Sequence, residues 1–177
     1  MVLKLSKILR RLLRQQDNLT PLREELSFID DYLAIEMVRF GDKLHFVKDT
    51  DPATLDLLVP SMLLQPLVEN SVRHGLSSKV DGGTIRVRSR LMGNRLQILV
   101  EDDGVGIPEA KLATLFEQGI GIGVSNVNER LKVLFGEEYK MWIDSRPGEG
   151  TSTGIEIPEQ AGGAPQPVDA YVGGQSA

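Results

Sequence analysis

Apolar side chains recur at three- and four-residue spacing early in the chain and alternate with polar ones later. Leu5, Ile8, Leu9, Leu12 and Leu13, with basic residues between them, predict an amphipathic helix over residues 3–16. Asp17-Asn18 interrupts it. Thr20-Pro21 has the form of a helix N-cap followed by proline at the first helical position. Leu22, Leu26, Ile29, Leu33 and Met37 then share one face of a second helix that runs to about Phe40 and ends at Gly41. Glu24 and Glu25 fall in its first turn, where the macrodipole favours acids. Two helices this exposed need a surface to cover them. A partner helix or a second copy of the chain is the expected one.

Leu44–Lys48 alternates as a strand does. Pro60–His74 reads as a helix closed by Gly75 as its C-cap, with Pro66 imposing a kink or a late start. After a polar loop, Thr84–Leu91 and Arg95–Glu101 predict two strands joined by the hairpin signal Met92-Gly93-Asn94. A short helix near Ala110–Glu117 and another over Asn126–Phe135 follow. Two more strands, Tyr139–Asp144 and Thr151–Ile157, flank a turn. From Glu159 on, Gly, Pro, Ala and Gln dominate, which predicts disorder. Strands interleaved with helices predict an α/β two-layer sandwich, a mixed sheet packed on helices and preceded by N-terminal helices. Trp142 and Phe116 are expected in its core, and His45 as a structural residue.

Composition narrows the chemistry. The 177 residues include 41% hydrophobic side chains, enough for a core, and no cysteine. That removes disulfides, thiolate zinc sites and cysteine nucleophiles, and fits a reducing, cytoplasmic setting. No apolar run approaches the ~20 residues of a membrane helix. Net charge is −5, but residues 1–16 carry +5, so the remainder carries −10. An acidic body argues against nucleic acid as a partner. It does not argue against a nucleotide, whose phosphates can be held by a metal, backbone N–H groups and one or two cations.

Three stretches carry candidate chemistry. In Glu69-Asn70-Ser71-Val72-Arg73-His74-Gly75, helical spacing puts Asn70, Arg73 and His74 on neighbouring positions. An Asn amide oxygen suits Mg²⁺, an Arg can fork onto phosphate, and a Glu beside them can orient or accept a proton. A polar, exposed helix end is the plainer alternative. Asp102-x-Gly104-x-Gly106 follows directly on an apolar strand. A carboxylate there can accept a hydrogen bond from an exocyclic amine, which distinguishes adenine from guanine, while the glycines admit close backbone approach. Asp103 competes for that role, and a plain Asp/Gly turn is the alternative to both. Gly119-x-Gly121-x-Gly123 precedes a helix start, where N–H groups attract phosphate; a flexible linker is the alternative. There is no P-loop signature and no Ser/His/Asp constellation.

In this order, and with Gly148-Glu149-Gly150-Thr151 after them, these motifs resemble the N, G1, G2 and G3 boxes of the GHKL ATPase superfamily over roughly Leu44 to Pro158. Leu63-Leu64-Gln65-Pro66-Leu67-Val68-Glu69-Asn70 and Gly121-Ile122-Gly123-Val124-Ser125-Asn126-Val127-Asn128-Glu129-Arg130-Leu131 are similar, more narrowly, to LytS/YehU-type sensor histidine kinases. Ile35 to Asp42 resembles that group's linker helix. The resemblance implies a Bergerat-type sandwich that binds Mg-ATP. It implies Asn70 as the Mg²⁺ ligand, Glu69 as the residue assisting phosphoryl transfer, and Arg73 and His74 beside the phosphates. It implies Asp102 as the adenine acceptor with Gly104 and Gly106 shaping the pocket, Gly121 and Gly123 in the ATP lid, Asn126 at the following helix start, and Thr151 supporting the adenine end.

The resemblance also divides the chain into a partial dimerisation hairpin and linker helix over 1–42, the catalytic domain over 43–158, and a tail over 159–177. The family's phosphoacceptor box is missing, so the acceptor is expected on a histidine-bearing helix of a larger, membrane-anchored and homodimeric parent. The next partner is then a response regulator, and self-phosphorylation of this chain is not expected. A GHKL ATPase that hydrolyses ATP and a non-catalytic ATP-sensing module are the rival expectations.

Overall fold

The computed structural model describes residues 3–5, 19–118 and 121–161, of which 116–118 and 121–122 are described by backbone alone. Residues 3–5 are helical, and the rest of the helix expected over 3–16 lies outside the described residues, as do Gly119 and 162–177.

Among the described residues from 19 on, seven strands and four α-helices follow in chain order. Strand β1 is Leu19–Pro21 and helix α1 is Leu22–Phe40. Strands β2, Leu44–Thr50, and β3, Leu58–Pro60, precede α2, Gln65–Asn70. Strands β4, Gly83–Met92, and β5, Arg95–Asp102, form the expected hairpin around Gly93 (φ 65°). Helices α3, Glu109–Gln118, and α4, Gly121–Phe135, lead to β6, Met141–Arg146, and β7, Gly150–Pro158.

The main sheet has the order β2-β4-β5-β7-β6, parallel between β2 and β4 and antiparallel elsewhere. It is therefore mixed, as the interleaving of hairpin and helices implies. Alternation assigns its faces. Ile85, Val87, Leu96, Ile98, Val100, Ile155 and Ile157 are all essentially buried and turn toward the helices. The opposite face carries Arg86, Arg88, Arg90, Gln97 and Glu101, partly or fully exposed. Charges pair across it: Arg88 Nε lies 3.2 Å from both Asp49 Oδ2 and Glu101 Oε2.

Helix α1 corrects the expectation that it waits for a partner. Leu22, Leu26, Phe28, Ile29 and Leu33 are buried in the same core cluster as the sheet and α2. Only the end of the stripe is open, with Met37 at 37% exposure. Its start also differs from the expected Thr20 cap. Thr20 lies in β1 and donates from its hydroxyl to Glu24 Oε2 at 2.9 Å. The first N–H groups of α1 donate instead to the carbonyls of Leu57 and Leu55, both at 2.9 Å. Backbone from the chain's next segment does the work a side-chain cap would do.

The helix expected over Pro60–His74 is shorter and later. Pro60 ends β3, and α2 begins at Gln65 with Pro66 in its first turn, where a missing N–H costs nothing. Nor is Gly75 its C-cap. After Asn70 the helix widens into a π turn over Ser71–Leu76, with Ser77 N–H donating to Val72 O at 3.0 Å.

Trp142 is not in the core. Its indole lies across Gly154 on the open face of the sheet, where a Cβ on that glycine would overlap the ring. Phe116's side chain falls outside the described residues. His45 is exposed on β2. Residues 159–161, expected in the tail, are held: Glu159 N–H donates to Asn94 O and Leu58 N–H to Gln160 O, both at 2.8 Å.

Candidate functional site

The C-terminal end of β5 delivers Asp102 to the helical side of the sheet, because Leu96, Ile98, Val100 and Asp102 fall on one face by alternation. Asp102 is 8% exposed. Its Oδ1 accepts from Gly104 N–H at 2.9 Å. Ser71 and the backbone of Thr151 also donate to the carboxylate. Burial nevertheless raises its pKa above the usual carboxylate value, assisted by the charge of Asp103, while those hydrogen bonds pull it down. A buried acid at a strand end, with bonds that do not fully offset its desolvation, is suited to accept another donor.

The widened turn of α2 packs directly against this carboxylate. A Cβ on Gly75 would lie 2.6 Å from Asp102 Oδ1, and one on Gly104 would overlap the backbone of Gly75. Val105 N–H donates to Gly75 O at 3.1 Å. The glycine read from sequence as a helix stop is thus a close-approach glycine. Gly106 (φ 71°) and Gly150 (φ 108°) have both reasons to be glycine: left-handed backbone, and an approach to the carbonyls of Arg146 and Asp102 that a side chain would block.

Asn70 immediately precedes Ser71, one of the donors to Asp102. The two residues on which the sequence reading turns therefore share one corner of the molecule. Asn70 is half-buried, and its side chain makes no capping bond to the turn that follows. An amide oxygen so placed fits a hard cation. Glu69, Arg73 and His74 are all exposed. The π turn separates them from Ser71 and Gly75: the latter pair is buried against Asp102, the former group faces solvent. Glu69 lies close enough to Tyr32 of α1 for its charge, with burial first and Glu36 second, to push the phenol well above its ordinary pKa.

Asp103 does not compete with Asp102. Its Oδ1 accepts from Thr84 N–H at 2.8 Å, and its carbonyl accepts from Lys79 Nζ at 2.7 Å, which ties the loop to β4. Thr151 pairs with Asp102 across β5 and β7. Its hydroxyl lies 2.8 Å from Ser145 Oγ, which accepts in turn from Ile107 N–H at 2.9 Å. Ser145 was not singled out in the sequence, and Ser71 and Gly150 were quoted only within motifs, with no role of their own.

Gly121 and Gly123 lie in the first turn of α4, and Asn126 lies inside that helix, exposed, rather than at its start. The expectation of a glycine-rich loop before a helix from Asn126 is corrected: Val124, Val127 and Leu131 form a buried stripe that carries the helix back through the glycines. A recess of about 280 Å³ is lined by Asp102, Ser145, Gly150 and Thr151 together with Glu101, Asp144, Arg146, Glu149 and Ser152.

A family model described as histidine kinase-, DNA gyrase B-, and HSP90-like ATPase matches residues 56–161, and one described as histidine kinase matches residues 1–44. The sensor histidine kinase YpdA of Escherichia coli (strain K12) is 36% identical over 165 residues, covering 90% of this chain and 28% of that protein. The sensor protein LytS of Oceanobacillus iheyensis is 33% identical over 153 residues, covering 81% and 26%. The chain spans less than half the length of the curated relatives it matches. Among solved structures, the catalytic domain of histidine kinase ThkA superposes with a TM-score of 0.62 at 20% identity, covering 83% of this chain and 99% of that one. That likeness concerns the fold. ThkA has also been solved in complex with the response regulator protein TrrA.

Proposed function

The chain belongs to the family of histidine kinase-, DNA gyrase B-, and HSP90-like ATPases and carries the ATP-binding catalytic domain of a two-component sensor kinase; from that premise we propose that it transfers the γ-phosphoryl group of Mg-ATP to a histidine on a helix outside residues 1–177. A response regulator then receives the group. The parent is a membrane-anchored homodimer whose catalytic unit, 43–158, works in the cytoplasm, with 1–42 as hairpin and linker helices and 159–177 as a tail. Among the described residues no helix is long and apolar enough to cross a membrane.

One observation carries this reading: Ser71 and Gly75 press the turn that follows Asn70 against the Asp102 carboxylate. Asp102 accepts from the exocyclic amine of adenine, while Gly104 and Gly106 keep the pocket floor free of side chains. Thr151, held by Ser145, fixes the far wall. Asn70 offers its amide oxygen to the metal, which when bound neutralises triphosphate charge. Arg73 and His74 lie exposed on the same turn, free to meet phosphate oxygens. Gly121 and Gly123 bring the first N–H groups of α4 to the same anion, with Asn126 one turn further on. Glu69, exposed at the end of α2, orients the incoming imidazole and takes its proton. Catalysis of this kind rests on positioning and charge neutralisation.

The test supplies what the chain lacks. A histidine-bearing helical hairpin from a relative such as YpdA, mixed with this chain and γ-labelled ATP, should become labelled on histidine. Asn70→Ala should abolish labelling, and Asp102→Asn should let GTP compete nearly as well as ATP. Free phosphate released without any hairpin would favour a hydrolase instead, and tight ATP binding with no label on the hairpin would favour a sensing module.

A further inference from the structure

We propose that Glu25 is a positioning residue for the metal end of this site: its carboxylate, carried by α1, holds the start of α2 and so fixes where Asn70 stands. The inference rests on the reading of Asn70 given above.

Glu25 is 1% exposed. Oε1 accepts from Met62 N–H at 3.0 Å, and Oε2 accepts from Leu63 N–H at 3.0 Å and Leu64 N–H at 3.2 Å. These donors lead into α2, whose own N-cap, Leu64, contributes no side-chain bond. A residue thirty-seven or more positions away in sequence therefore holds the segment that leads into the helix. Burying a carboxylate costs several kcal/mol unless it is fully bonded. Three backbone donors and the positive end of a helix together offset that cost.

Met62 strengthens the argument. Among the described residues it alone, other than glycine, has positive φ, at 63°. Left-handed backbone is unfavourable for a methionine and persists only where its surroundings over-determine it. Here the Met62 N–H is held by Glu25. The preceding carbonyl, Ser61 O, accepts from Arg130 Nη1 at 2.6 Å. Arg130 belongs to α4, whose Gly123 stands against Pro66 of α2, a Cβ there lying 3.5 Å from the proline's own. The segment 61–64 is thus pinned from the linker helix on one side and the helix after the glycine motif on the other. Six residues beyond Leu64 stands Asn70.

Glutamine at position 25 keeps the shape but has one acceptor oxygen, and its NH₂ would face a backbone donor. In the 177-residue chain, Glu25→Gln should reduce the gain in ATP affinity produced by Mg²⁺ about tenfold, the low end for groups that orient a metal ligand. Metal-free ADP, which reads the adenine end, should bind within about twofold of wild type, the least that a retained Asp102 site requires. A general loss of structure would weaken both ligands alike, and that result overturns the proposal. Asn70→Ala in the same titration separates two failures. If Asn70→Ala loses the Mg²⁺-dependent gain and Glu25→Gln keeps it, Glu25 positions nothing. If Asn70→Ala keeps it, the metal assignment fails and the role of Glu25 falls with it. Should Glu25→Gln not fold, hydrogen exchange on the wild-type chain decides. Linkage is reciprocal, so Mg-ATP should slow exchange at Met62, Leu63 and Leu64 while metal-free ADP leaves it unchanged. Equal exchange under both ligands contradicts the proposal.

Discussion

Single residues divide here into those whose chemistry was written in the sequence and those whose burial was not. The position of Asp102 at the end of an apolar strand was legible from alternation, although the sequence left a plain Asp/Gly turn open as the alternative. Its pKa direction adds a pH dependence. Burial raises it, so the folded state prefers the protonated acid. That stability is fully present below the ordinary carboxylate pKa and is lost as pH rises through the raised folded value. At neutral pH the ionised acid therefore opposes folding, and Asp102→Asn should be at least as stable as wild type there, the difference vanishing in acid. In the proposed binding mode the dependence runs the other way, since the adenine amine would donate to the ionised form. ATP affinity should rise with pH through the titration of Asp102, and Asp102→Asn should remove that dependence and cost about tenfold or more in affinity, the scale of a hydrogen bond to a charged group. Thermal melts and nucleotide titrations across pH check both signs. Glu25 was read only as a first-turn acid matched to the dipole; it does stand in that turn, but its burial was missed. The signal was present: it lies three after Leu22 and one before Leu26, inside the apolar stripe, where a solvated acid has no place.

Among the elements, strands were read most accurately and helix ends least. Alternation in 84–91 and 95–101 survives almost residue for residue in β4 and β5, because a strand with one buried face leaves little freedom of register. Helix boundaries depend on backbone partners elsewhere. The carbonyls of Leu55 and Leu57 start α1, and the Gly75–Gly104 contact shapes the π turn; no local pattern announces either. The glycines before α4 misled for the opposite reason. Glycine is a weak breaker when Val124, Val127 and Leu131 continue the buried stripe. Helix α1 is the element whose role changed most, from an appendage seeking a partner to part of the core. Ile29, fully buried at its centre, makes that testable: Ile29→Ala should destabilise the isolated chain by about 3 kcal/mol. Chemical denaturation measures it, and a cost near zero would mean that α1 is not docked in solution.

At the scale of the whole molecule, a five-stranded mixed sheet presents one face to helices and the other, laced with Arg86, Arg88, Arg90, Asp49 and Glu101, to solvent. The site occupies the edge where the helical layer meets the strand ends. It draws on segments far apart in the chain: α2 and its π turn, the loop after β5, and β7, to which the proposed function adds the start of α4. Sequence alone could name these segments, since each carries its own motif. It could not show that Ser71 and Gly75, rather than His74 and Arg73, turn toward Asp102, because that depends on one extra residue in a helical turn. The central claim is that a single Mg-ATP spans this corner, with its purine at Asp102 and its metal at Asn70. A crystal structure of the chain with Mg²⁺ and a non-hydrolysable ATP analogue tests it directly. The expected result is an adenine amine about 2.7–3.2 Å from the Asp102 carboxylate and the Asn70 amide oxygen about 2.0–2.1 Å from the metal. A nucleotide bound with its base away from Asp102, or a metal held without Asn70, would contradict the account.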